Sequence, residues 1–535
     1  MAEEETQTGL ETQAPAPIPS MEEKAADLLA RKDDFRKMGD ERYVARQKEL
    51  GKLTVRERLD LLFDPGTFLE YGLLAEAMPT AQATGKRTPA DGCVTGVGLV
   101  DGRKVAVIAY DFTVLAGSIG QTNERKATRM RQVALTSRIP IVWLLDSAGA
   151  RVQETAGAIF AAAGDMFREQ VIMSGVVPQV AAMLGPCSAG TAYIPALADF
   201  VPMVKGTSSM ALAGSHLVKA AVGEDVTDEE MGGSAVHTKI SGVADLEVKD
   251  DPECIRVVKE YLSFFPSNCE EQPPRVSSSD APDRRCEELS SIVPSNPRKA
   301  YDMRKVIKAI VDDGHVFQMK PEYAKNVITA FARIGGRPVG IVANQPMFLG
   351  GALDVNSADK AARFMNLCDA FNIPLVFLQD VPGFLVGSKV EKEGIIRHGA
   401  KMLFAVSDAT VPKVTVVLRK AYGAGYFVMC GRGYEPDYIV AWPTAEFSVM
   451  GPEGAVNIIF RKEIEAAPPE EQERIREERI GQIRKNIDPY IAMRYALIDD
   501  LIDPADTRRA IAHGLMLAEG KRVERPRRKK GVVPV

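Results

Sequence analysis

Between Gly92 and Ala109 the apolar residues come in short β-rich runs split by glycine, CVTGVGLV and then KVAVIAY, with Asp101-Gly102 between them. Two such runs around an Asp-Gly pair predict an antiparallel hairpin. Beyond Gly117 the pattern changes to QTNERKATRMRQVALTS, which reads as a helix, and then to the unbroken apolar run IPIVWLLD, a buried strand ending at Asp146. Buried strands joined through helices imply an α/β fold whose sheet is covered on both faces.

The same strand, strand, helix, strand order occurs a second time. DGRKVAVIAYDFTVLAGSIG, NERKATRM and IPIVWLLDSAGARV from Asp101 are answered by GGRPVGIVANQPMFLGGALD, SADKAARF and IPLVFLQDVPGFLV from Gly335. Arg103/Arg337, Gly117/Gly351, Lys126/Lys360, Asp146/Asp380 and Gly149/Gly383 share one spacing of 234 residues (337 − 103), without a gap. Solenoid repeats run to roughly 20–50 residues, so this longer period means two domains of one fold. The match extends to GVVPQVAAMLGPCSAGTAYI from Gly175 and ATVPKVTVVLRKAYGAGYFV from Ala409, each a buried strand followed by tiny residues.

Residues 1–20, acidic and rich in Pro and Ala, are expected to be a disordered tail and lack the basic start and apolar core of a signal peptide. Met21 to Lys52 carries Leu28, Leu29, Phe35 and Met38 at helical spacing, predicting one or two amphipathic helices packed on the body. Thr54 and Glu57 form a capping-box pair ahead of an apolar run that Pro65-Gly66 stops. A helix around Ile255 to Phe265 closes the first domain near Pro266. The Pro-, Ser- and charge-rich stretch from Pro266 to Lys299 then reads as linker. We place the domains at 21–285 and 286–535. PPEEQERIREERIGQIRKN predicts a helix with a solvated charged face, and KRVERPRRKK from Lys521 a solvated end.

The net charge of −5 lacks the basic excess of a nucleic-acid binder. Seven cysteines, at 93, 187, 254, 269, 286, 368 and 430, form no Cys-x-x-Cys pair, and no apolar run approaches the ~18 residues of a membrane span. These features predict a soluble protein of the reduced cytoplasm, without a metal. The usual reactive groupings are missing too. The five histidines show no ligand spacing, Ser147 in DSAGA is not in a Gly-x-Ser-x-Gly elbow, and there is no Walker loop or dinucleotide fingerprint. What stands out is the pair of tiny-residue turns, Cys187-Ser188-Ala189-Gly190-Thr191 and Tyr422-Gly423-Ala424-Gly425-Tyr426. Successive N–H groups at a helix start can form an oxyanion hole there; close strand-to-helix packing uses the same residues. The duplication favours two oxyanion sites, one per domain.

RERLDLLFDPGTF, DFTVLAGSIG, DSAGARVQE, GPCSAGTAYIPALADF, NQPMFLGGALD, DVPGFLVG, GIIRHGAKMLFA and AWPTAEFSVMGPEGAVNI, in this order, resemble the carboxyltransferase (β) subunit of biotin-dependent acyl-CoA carboxylases. The resemblance covers residues 21–535. It implies two crotonase-like domains, the N-terminal one binding acyl-CoA and the C-terminal one biotin. It also implies transfer of CO2 from carboxybiotin to the α carbon, or a vinylogous γ carbon, of an acyl-CoA through an enolate. Two oxyanions arise, so two backbone holes suffice.

Carried onto this chain, the resemblance places the thioester hole on Ala189 and Gly190 and the biotin hole on Ala424 and Gly425; the ungapped repeat instead aligns Ala189-Gly190 with Gly423-Ala424. Relatives commonly have Gly-Gly in the first turn, where the methyl of Ala189 narrows the site. Ser147, Ala148, Gly149, Ala150, Arg151, Tyr193 and Phe427 fall on the acyl-CoA side, and Pro382, Gly383, Phe384, Gly423 and Tyr426 on the biotin side. Phe427 stands where propionyl- and acetyl-type relatives carry an acidic or aliphatic residue, so its ring either blocks a straight acyl chain or stacks on an unsaturated one. MCGRGY is similar to the methylcrotonyl type, while GPCSAG and DVPGFLVG are closer to the propionyl type, which leaves the acyl group open.

The chain has no Met-Lys-Met biotinylation sequence and no ATP-grasp loop. The resemblance therefore implies a biotin carboxylase and biotin carboxyl carrier partner, and a homo-hexamer with each site between two protomers. The alternative is a biotin-dependent decarboxylase subunit of a sodium pump, running the same transfer backwards.

Overall fold

Eight strands build the first sheet of this computed structural model, which describes residues 18–82 and 85–534: β1 (Leu69–Tyr71), β2 (Cys93–Val100), β3 (Arg103–Tyr110), β4 (Ile141–Ser147), β5 (Gln179–Ser188), β6 (Pro202–Val204), β7 (Ser209–Ala211) and β8 (Leu246–Val248). Eight more build the second: β9 (Val316–Met319), β10 (Val327–Ile334), β11 (Arg337–Asn344), β12 (Leu375–Val381), β13 (Lys413–Tyr422), β14 (Tyr438–Ala441), β15 (Glu446–Ser448) and β16 (Asp500–Leu501). The first runs β1-β2-β3-β4-β5-β6-β8 with β7 beside β5, and the second runs β9-β10-β11-β12-β13-β14-β16 with β15 beside β13. Each begins antiparallel through its hairpin and continues parallel from the third strand on. The internal repeat is therefore a repeat of topology.

The hairpin turns where expected. Asp101 and Gly102 both have positive φ, 47° and 78°, the conformation of a type I′ turn, and Val100 pairs with Arg103. The helix Gln121–Ser137 has the predicted bounds, and its counterpart is Val355–Ala370. The second central strand runs one residue past Asp146, to Ser147.

Three layers of core follow from alternation along the strands. Ile141, Trp143 and Leu145 face Ala127, Met130 and Ala134 of the helix 121–137. Val142 and Leu144 face the other way, towards the helices Val55–Leu62 and Asp251–Leu262, in a cluster that continues into the second unit through Phe331 and Phe377 of its sheet and Phe364 of the helix Val355–Ala370. Val376, Leu378, Val414 and Val416 face outwards again, onto the helices Met303–Ile310 and Thr507–Leu517. Rings knit the middle layer: Phe265 lies 5.1 Å from Phe331 and 5.5 Å from Phe371, and Tyr261 lies 4.4 Å from Phe200.

The capping box ahead of Val55–Leu62 is formed, with Thr54 and Glu57 capping one another. Thr54→Ala is expected to cost about 1 kcal/mol in urea unfolding of the full chain; an unchanged midpoint would mean the cap contributes nothing. The charged helix Pro469–Asn486 buries no residue, as its composition requires.

Two expectations need correction. The helix Met21–Arg36 forms, but it buries nothing: Leu28 and Leu29 are exposed, and only Met38, beyond its end, enters the core. The stretch 266–299 is no free linker, because Cys286, Leu289 and Val293 sit in the core of the second unit and Asn268 donates to the Arg138 carbonyl. The basic end is solvated as expected, with residues 524–530 exposed, and it pairs Lys521 with Asp437, Arg525 with Glu435 and Arg528 with Asp408. Expectations for residues 1–17 lie outside the described residues. Among the described residues, no helix is long and apolar enough to cross a membrane.

Candidate active site

Both tiny-residue turns stand at the carboxyl ends of parallel strands, the usual place for ligands in such sheets. Strand β5 ends at Ser188, and Ala189 turns the chain at φ +57° into a short helical segment. Strand β13 ends at Tyr422, and Gly423 does the same at φ +55°. For Ala189 this conformation is strained, since L residues rarely occupy it. The first N–H groups after such a corner have no carbonyl behind them in the helix. Among the described residues, no turn or loop bond uses the backbone amides of Ala189, Gly190, Ala424 or Gly425. By topology Ala189 answers Gly423, so Ala424 belongs to the second turn in either register. Ala189 and Ala424 are exposed, and Gly425 is buried.

Each turn is backed by a second loop from the neighbouring strand. Gly149 (φ +94°) and Gly383 (φ +120°) occupy equivalent corners. The Gly149 carbonyl accepts from Ile119 N at 2.8 Å and the Gly383 carbonyl from Leu353 N at 3.0 Å. A Cβ on Gly149 would stand 2.7 Å from the Ser188 carbonyl, and one on Gly425 3.0 Å from Gly383 Cα and 2.7 Å from Val381 Cγ2. Glycine is required here because the backbones touch. A Cβ on Gly190 would meet only Phe167 Cζ, at an ordinary 3.5 Å, so that position is open.

The other expected residues divide. Tyr193, 49% exposed, follows the first turn and packs edge-on against Phe167. Phe427, 46% exposed, lies one turn past Gly423 with its ring 6.0 Å from those of Tyr426 and Tyr434. Pro382 and Phe384 flank Gly383 and are half-buried, while Ala148 and Ala150 are exposed. Ser147 is buried, and its Oγ accepts from Gly149 N at 3.2 Å, so it shapes the loop. Arg151 is also buried, bound to Asp91 at 2.6 Å and Glu154 at 2.8 Å, which commits its charge locally. Cys187, beside the first turn, is a thiol, because burial pushes it up to about 12. Burial and the hydrogen bond that Tyr422 donates to Glu446 hold the phenol well above its ordinary range.

A cavity of about 690 Å3 opens on the first unit, lined by Tyr43, Arg46, Lys52, Lys86, Arg87 and Phe112 among others, with Arg151 and Pro186 towards the turn. Its size suits a nucleotide-bearing ligand, and its basic rim suits phosphate. The sequence reading missed this rim, since Arg46 and Lys86 are 40 residues apart in the chain; the only local signal is the cationic density of residues 42–52 and 86–87.

Each of the duplicated sheets thus carries a tiny-residue turn at the end of an equivalent strand, backed by a loop from the neighbouring one. Residues 46–533 match the carboxyl transferase domain family. The chain is 44% identical to the methylmalonyl-CoA decarboxylase subunit alpha of Propionigenium modestum, covering 96% of this chain and 99% of that one. It is 42% identical to the propionyl-CoA carboxylase carboxyltransferase subunit of Haloferax mediterranei, covering 96% and 100%. It superposes on the crystal structure of transcarboxylase 12S with a TM-score of 0.92 at 45% identity, covering 98% of this chain and all of that one. The chain therefore belongs to the carboxyl transferase domain family, as a biotin-dependent acyl-CoA carboxyltransferase.

Proposed function

We propose that the chain is the carboxyltransferase subunit of an acyl-CoA carboxylase and that its two turns are oxyanion holes, one per unit. The observation that carries this reading is the repeated corner at Ala189 and Gly423, which starts a helix on tiny residues at the end of equivalent strands. The amides of Ala189 and Gly190 hold the thioester oxygen as the α carbon loses its proton. Those of Ala424 and Gly425 hold the ureido oxygen. Each such donor is worth ~3 kcal/mol of transition-state stabilisation. Carboxybiotin, brought by a partner subunit, supplies the CO2 and, once decarboxylated, the nitrogen that accepts the proton. The second turn fits that ring: Ala424 and Gly383 leave room at the surface, and the space beside Gly425 is already filled by Val381.

The acyl-CoA side is the first unit, with the nucleotide in the 690 Å3 cavity and its phosphates towards Arg46 and Lys86. A biotin carboxylase and its carrier are the partners, in the cytoplasm. The 12S structure is described as a hexamer with methylmalonyl-CoA bound. We extend both features to this chain, with each site completed between two protomers and units bounded at 21–285 and 286–535. The identity to a decarboxylase subunit supports a second reading, the same transfer run towards CO2 release. ATP-dependent fixation of labelled bicarbonate with the biotin-bearing partner separates the two.

The direct test is transfer of the carboxyl group from methylmalonyl-CoA or malonyl-CoA to free biotin by the purified chain. Carboxylated biotin is expected, and none would end the proposal. Phe427→Asp is expected to change the ranking of acetyl-, propionyl- and methylcrotonyl-CoA more than the overall rate in a substrate panel with the partner present. An unchanged ranking removes Phe427 from the acyl pocket.

A further inference from the structure

Asp146 and Asp380 occupy one place in the two units. Each sits where a central strand shifts register against its neighbour, between Leu145 and Ser147 on β4 and between Gln379 and Val381 on β12. Each comes one residue before a backing loop, and each carboxylate is fully buried. Burying a carboxylate is costly unless it is paired, and the two units pair theirs by different means.

In the first unit the cations come from the segment that enters it. Lys52 Nζ lies 2.7 Å from Asp146 and Arg58 Nη1 2.9 Å. Arg58 Nε also donates to Asp251 at 2.7 Å, and Asp251 accepts from Leu53 N at 3.0 Å. Opposite Asp146, β5 carries Gly185, where a Cβ would stand 1.9 Å from Asp146 Oδ1 and 2.8 Å from Lys52 Nζ. The residue at the repeat spacing from Gly185 is Arg419 on β13. Here the strand itself supplies the cation: Arg419 Nε lies 2.9 Å and Nη2 2.8 Å from Asp380. Its Nη1 reaches back to the entering segment, donating to the carbonyls of Pro294, Asn296 and Lys299 at 3.2, 3.0 and 2.9 Å. The Tyr301 ring covers the guanidinium at 4.7 Å.

We propose that Asp146 and Asp380 are positioning residues, each tying its unit's entering segment to the strand end that carries the backing loop, and each governing a different substrate. The loops transmit the tie because they pack without slack. Gly149 lies against the Ser188 carbonyl and Gly383 against Gly425, so a displaced loop displaces the hole. Asp146 thus acts on the acyl-CoA half and Asp380 on the biotin half. This inference rests on the assignment of the two holes proposed above.

The test is carboxyl transfer from methylmalonyl-CoA to free biotin by the full-length chain, with kcat/KM measured for each substrate and CoA affinity measured by calorimetry. Asp380→Asn is expected to lower kcat/KM for biotin about a hundredfold, and Arg419→Lys, which keeps the charge but not the three carbonyl contacts to the entering segment, about tenfold. CoA affinity should stay within about twofold in both, because the first unit is untouched. Gly185→Ala, which crowds Asp146 without removing a charge, is expected to show the opposite split, with the loss on the acyl-CoA side. Equal losses on both substrates, or no loss in a folded variant, would overturn the proposal. If Asp380→Asn does not fold, the split in Arg419→Lys decides. Failure of the underlying assignment shows separately, as absence of transfer by the unaltered chain.

Discussion

Gly190→Val is expected to lower turnover about a hundredfold or more, the scale of losing one oxyanion donor, while leaving thermal stability close to that of the unaltered chain. The two outcomes separate because of what surrounds Gly190. Its own φ is not in the left-handed region and a Cβ there meets only the edge of Phe167, so the fold can accommodate a side chain. The amides of Ala189 and Gly190, however, can serve a substrate oxygen only if the space in front of them is empty, and a branched side chain occupies it. Turnover assays paired with calorimetric melting check this. Normal turnover in a stable protein counts against the first hole. A joint loss of turnover and stability would make Gly190 a packing residue.

The second large effect is on stability. Arg58→Met is expected to destabilise the chain by about 3–5 kcal/mol, because it removes the cation that the buried carboxylates of Asp146 and Asp251 share. Arg58 itself is fully buried, as is Asp146, and Asp251 is 1% exposed. Lys52 still neutralises Asp146 in the variant, whereas Asp251 keeps only Leu53 N and loses its charge partner. Unfolding in urea, followed by fluorescence, measures the loss. A change below about 1 kcal/mol, the scale of an exposed pair, would show that the cluster is hydrated and contributes little.

Much of the architecture was legible because it is written locally and then written twice. The Asp101-Gly102 turn, the helix 121–137 and the Thr54/Glu57 box depend on residues within a few positions of one another, and the constant spacing of 234 residues transferred each reading to the second unit. The two tiny-residue turns proposed as the site were legible as turns for the same reason, following equivalent buried strands. What failed to show were features set by distant parts of the chain. Leu28 and Leu29 belong to a helical pattern, but the pattern does not say that none of the described residues covers them. Cys286, Leu289 and Val293 are single apolar residues among prolines and serines, without a period, and only the fold brings them to the core. Asp146 and Asp380 were visible as a repeated pair, but the cations of Asp146 lie 94 and 88 residues back, at Lys52 and Arg58, and that of Asp380 across the sheet at Arg419; Gly185 standing where the repeat has Arg419 makes the two arrangements look unrelated in sequence. Lys521, Arg525 and Arg528 likewise find their acids at Asp437, Glu435 and Asp408, about 80 to 120 positions back.

The central claim is that main-chain amides, two from each unit, hold the oxygens of acyl-CoA and biotin. Its most direct measurement is a crystal structure of the assembled protein with a non-reactive acyl-CoA and biotin bound. The account predicts the thioester oxygen about 2.7–3.1 Å from the amides of Ala189 and Gly190, and the ureido oxygen at similar distances from those of Ala424 and Gly425. Finding either oxygen held by side chains, with those amides bonded inside the protein, would contradict it.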